Sequence, residues 1–158
     1  MAPLLSVPHL GAAPPPGVPP PLHVLLHLHL IGWLLIGLAL LHVVFPRYFS
    51  WRTELRHLST INREMMQVHT FFVALTVLLM GLLCLTSAPD LAGTALGRRI
   101  SLGLAVFWFA RLLTQFFGYS SVLWRGRAFE TIVHVVFSLL WFYLTIAFAW
   151  VYYARQEG

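Results

Sequence analysis

The sequence predicts an all-α membrane protein: a four-transmembrane-helix bundle with a short interfacial helix between spans 1 and 2. Three observations lead there. Four long apolar runs are separated by short polar connectors. The chain is 59% hydrophobic and only 9% charged, whereas a soluble domain carries about 25% charged residues. Finally, each run is as long as a bilayer-crossing helix must be, and only helices or closed barrels satisfy their own backbone in lipid.

Residues 1–22 hold eight of the ten prolines and no charged side chain. Such a stretch cannot build a packed element, so a disordered Pro-rich tail is expected there. It lacks a positive region ahead of an apolar core, so a secretory signal is not expected. Residues 23–158 are then one four-helix transmembrane domain.

The first span is expected over 23–45, stopped by Pro46, which cannot continue a helix comfortably. Residues 46–64 change character: arginines interleave with Trp51, Leu55, Leu58 and Ile61 at helical spacing. That pattern suggests an amphipathic helix on the membrane surface with Ser50 as N-cap. The second span is expected over 65–85, followed by the turn residues Thr86 to Asp90. The third covers 99–117 and carries Arg111 well inside it. The fourth covers 129–153 and ends on the aromatic belt Trp150, Tyr152 and Tyr153.

An internal echo suggests a two-helix repeat. The segment from Phe45 to Arg52 resembles that from Phe116 to Arg125, and Val68-His69 resembles Val133-His134.

All ten basic residues are arginines. Six (Arg47, Arg52, Arg56, Arg63, Arg125, Arg127) fall in two connectors predicted on one face, and three (Arg98, Arg99, Arg155) on the other. The positive-inside tendency then makes the six-arginine face cytoplasmic, with both termini outside and the cell (inner) membrane as the expected location. No basic stripe lies on a soluble element, so nucleic acid is not an expected partner. With Cys84 the only cysteine, neither a disulfide framework nor a dithiol motif can form within the chain.

The candidate site rests on depth. Counted from the connector ends of the four runs, His42, His69, His134, Arg111 and Gln115 all fall within roughly 10 Å of one boundary. Glu130, His134 and Ser138 are spaced by four; Trp108, Arg111 and Gln115 by three and four; Asn62, His69 and Thr76 by seven. Polar stripes in lipid turn towards protein, where they can pair, and ionisable residues inside a span mark function by default.

Three functions are compatible with that set. The first is electron transfer or another redox reaction around a b-type haem or a divalent metal such as Zn or Fe. His69 and His134 would be its axial pair, His42 a further ligand, and Arg111 and Gln115 partners for the propionates. For a metal alone, His42, His69, His134 and Glu130 form a three-histidine, one-carboxylate set. A quinone or another membrane redox subunit would be the partner. The alternative is a non-catalytic membrane subunit or assembly partner whose polar layer is a packing network, with Arg111 neutralising Glu130 and oligomers possible. The third is a small-molecule or proton carrier using Glu130, His134 and Arg111. His23, His27 and His29 gather near the outer end of the first span, where solvated or headgroup-facing side chains are expected; His57 is expected in water.

Overall fold

The computed structural model describes residues 19–120 and 125–154. The expected tail up to residue 18, Trp124 and Arg155 lie outside that range. The described chain is helical, in the order α1 (Leu22–Tyr48), α2 (Trp51–Glu54), a 3-10 turn (Leu55–His57), α3 (Thr60–Thr86), α4 (Ala88–Gly93), α5 (Ala95–Phe117) and α6 (Ala128–Tyr153). Helices α1, α3, α5 and α6 are each long and apolar enough to cross a membrane. The chain falls into two compact units, one running from Pro21 to Ala88 and the other taking in the chain from Pro89 onward.

In the first unit α1 packs on α3. Helix α1 buries Val24, Leu28, Ile31, Leu35 and Leu38, alternating steps of four and three that draw one seam along it. Helix α3 buries Val77, Gly81 and Cys84. Apolar side chains gain little from leaving lipid for another helix, so close van der Waals contact must hold such a pair. Gly32 and Gly81 supply it: a Cβ on Gly81 would sit 2.9 Å from the Gly32 carbonyl oxygen. Bare backbone on both helices lets them approach there.

The connector differs from the amphipathic helix expected over 46–64. Helix α1 runs through Pro46 to Tyr48, because a proline in the last turns removes only one late backbone bond. Ser50 takes a left-handed conformation (φ 49°) with no side-chain cap bond, so it turns the chain rather than capping a helix. After α2 and the 3-10 turn the chain extends at Leu58 (ψ 151°) and restarts at Thr60. Of the four apolar residues only Leu55 is buried, since Ile61 now belongs to the first turn of α3.

In the second unit α5 packs on α6. Thr94 caps α5, its hydroxyl accepting from the Gly97 N–H at 2.9 Å. The link before it is helical where a turn was expected: α4 leads into α5, and a Cβ on Gly97 would collide with the backbone of Asp90 and Leu91. Trp108 of α5 stacks on Trp141 of α6, ring centroids 5.2 Å apart and planes within 10°. Phe137 stacks on the same indole.

Candidate functional site

The sequence-predicted residues divide between the units. His42 and His69 belong to the first; Arg111, Gln115, Glu130 and His134 belong to the second.

In the second unit a polar cluster spans α5 and α6. Gln115, in the last turn of α5, is only 6% exposed. Its Oε1 accepts from Arg111 at 3.1 Å and from the Trp141 indole N–H at 3.3 Å. Both partners are pure donors, so they fix which end of the amide is oxygen. The Nε2 end therefore donates to His134 Nδ1, 3.0 Å away. With Nδ1 accepting, a neutral His134 carries its proton on Nε2. The usual axial histidine has the opposite polarity, its free nitrogen lone pair on iron and the other N–H bonded outward. Ligation by His134 through Nε2 would require Gln115 to turn over or that proton to leave.

The Arg111 charge is spread over aromatic faces. Its guanidinium carbon lies 4.8 Å from the Trp141 ring centroid and 5.8 Å from that of Tyr119. Glu130 does not serve as its counter-ion in the way expected: the ion pair Glu130 makes is with Arg127 at 3.7 Å, an exposed i,i+3 contact at the start of α6. Such a surface pair contributes little. Arg127 sits one turn before Glu130 and so lies within easy reach of it.

Trp141 is the residue that sequence reasoning passed over. It stacks with Trp108, faces Arg111 and donates to Gln115. Its signal was present: Trp141 lies three residues after Ser138 and seven after His134, on the polar stripe already traced. An indole counts as apolar by composition, yet its N–H donates in a polar stripe as a hydroxyl would.

In the first unit His42 is half-buried and its Nδ1 lies 2.8 Å from the Leu38 carbonyl oxygen. A carbonyl only accepts, so Nδ1 carries the proton and Nε2 of the neutral ring offers a lone pair. His29 makes the same bond to Leu25 at 2.7 Å. His69 and His57 are exposed. Among the described residues no group of three or more His, Cys, Asp or Glu side chains is placed to hold a metal ion. By donor chemistry His42 already has a ligand's tautomer, whereas His134 has the opposite one.

Four helices long and apolar enough to cross a membrane, one pair of them joined by a polar cluster, fit a multi-pass α-helical membrane protein. No protein-family model matches the chain, and neither does any curated protein or solved structure.

Proposed function

We propose that this chain is a non-catalytic membrane subunit or assembly partner, and that its polar layer is a packing lock between α5 and α6. The observation that carries this reading is Gln115, buried and engaged at both ends of its amide by three different side chains. An amide engaged at both ends across a helix contact stabilises one pairing of the two helices. The six-arginine connectors would face the cytoplasm, both termini outside.

The test is purification in mild detergent with an absorption spectrum, elemental analysis and particle size. The expected material is colourless, metal-free and larger than one chain until harsher detergent strips its partners. A Soret band, or stoichiometric metal lost on His134→Ala, would overturn the reading.

A redox role with a b-type haem or a metal, exchanging electrons with a quinone, is the competing proposal. One observation favours it, the free Nε2 of His42. It predicts that His42→Ala abolishes colour or metal, which the packing reading does not.

A further inference from the structure

A cavity of about 1030 Å³ opens at the connector end of the first unit, among α1, α2, the 3-10 turn and α3. Four successive elements each deliver one arginine to it: Arg47 from α1, Arg52 from α2, Arg56 from the 3-10 turn and Arg63 from α3. The left-handed turn at Ser50, itself part of the lining, folds α2 back so that this happens. None of the four has an ion pair among the described residues. The cavity is open: Arg47, Arg52 and Arg56 are exposed and Arg63 is half-buried, and the neighbouring Glu54 and Glu64 are not part of its lining.

Four guanidinium groups around one cavity repel each other unless an anion joins them. The other end of the cavity is different material. It is lined by Val43, Phe71 and Ala74 together with the half-buried His42, with Gln67 and Thr70 between the two ends. From Arg63 to Ala74 the axis of α3 rises roughly 16 Å, from the connector into the apolar span. The lining is thus cationic where the helices leave the membrane and apolar where they enter it.

We propose that this cavity binds the head of an anionic amphiphile carrying two phosphate charges or more, with the root of its hydrocarbon chain against Phe71 and Ala74. Two phosphates are favoured over one because a single phosphodiester would leave three of the four arginine charges unmatched. Guanidinium meets phosphate oxygens in a two-pronged way that lysine cannot copy.

The test uses the full chain in phosphatidylcholine nanodiscs. Three probes are compared: cardiolipin, phosphatidylglycerol at matched total charge, and inorganic pyrophosphate. Cardiolipin is expected to bind saturably, one per chain, and about 10-fold more tightly than phosphatidylglycerol. R52Q/R56Q removes that preference, R52K/R56K restores it at most in part, and R99Q, an exposed arginine on α5, leaves it unchanged. Particle size and helical circular dichroism identify any variant that has failed to fold, and the lysine pair then carries the comparison. Equal binding of both lipids, equal weakening by R99Q, or full recovery with lysine would overturn the proposal in favour of diffuse attraction to the membrane surface. Pyrophosphate binding as tightly as cardiolipin would overturn the amphiphile assignment in favour of a soluble diphosphate.

Discussion

Gln115 Nε2 and His134 Nδ1 lie 3.0 Å apart across the α5–α6 contact, and the direction of that bond is set by two other residues. Because Arg111 and Trp141 both donate to Gln115 Oε1, the histidine must accept. Protonation geometry at His134 is therefore decided one residue away from it. Nitrogen-15 spectra of labelled protein should show the Nε2–H tautomer at His134 and the Nδ1–H tautomer at His42. A His134 signal of the Nδ1–H type would show that the amide is turned the other way and reopen His134 as an iron or metal ligand.

Gln115→Leu should destabilise more than His134→Ala. The leucine leaves the Trp141 N–H and one Arg111 donor without an acceptor, and an unmatched buried donor costs about 1–3 kcal/mol. The alanine leaves a single donor, the Gln115 amide N–H, without its acceptor, and so costs about half as much or less. Unfolding in mixed micelles reads both values. A double variant should fall short of the sum, since the two residues share a bond.

Trp141→Phe should be milder than Trp141→Ala. Phenylalanine keeps a ring for Trp108 and Arg111 and loses only the N–H to Gln115, a net effect of about 0.5–1.5 kcal/mol. Alanine also removes the stacked pair, worth about a further 0.5–1.5 kcal/mol. Equal effects from the two substitutions would mean that the hydrogen bond alone matters.

Gly81→Ala and Gly37→Ala separate close approach from helix propensity. A methyl at Gly81 meets the Gly32 carbonyl and the Ile36 backbone, which cannot move without parting the helices. The expected cost is about 1–3 kcal/mol. A methyl at Gly37 has nothing within 4 Å. Alanine there should be neutral or stabilising by up to about 1 kcal/mol. Thermal unfolding in detergent checks the pair, and a loss at Gly37 would contradict the packing described.

Thr94→Ala should cost about 1 kcal/mol, because the Gly97 N–H loses the cap that its position in α5 requires. Hydrogen exchange at the first turn of α5 should rise with it.

Apolar run length alone located all four membrane-length helices in the amino-acid sequence. Lipid offers the backbone no hydrogen bonds, so a long apolar run has little choice but to be helical. Helical spacing likewise placed Gln115 with Arg111 and His134 with Ser138 on single faces. The helix ends were harder to read: α3 begins at Thr60 and α1 passes through Pro46, where the pattern had suggested 65 and 45. Polar residues near a membrane boundary extend a helix as readily as they end it, so hydropathy marks the lipid and leaves the helix end open.

Membrane class, number of spans and the candidate polar residues follow from local composition and periodicity, because each is a property of one segment in its solvent. The tertiary structure decided the pairings. Gln115 is joined to Trp141, and Glu130 to Arg127 instead of Arg111. Arginines that look in the sequence like scattered loop charges share one cavity. Partners across a contact depend on the rotation and register of two helices together, and no periodicity within one helix records its neighbour's.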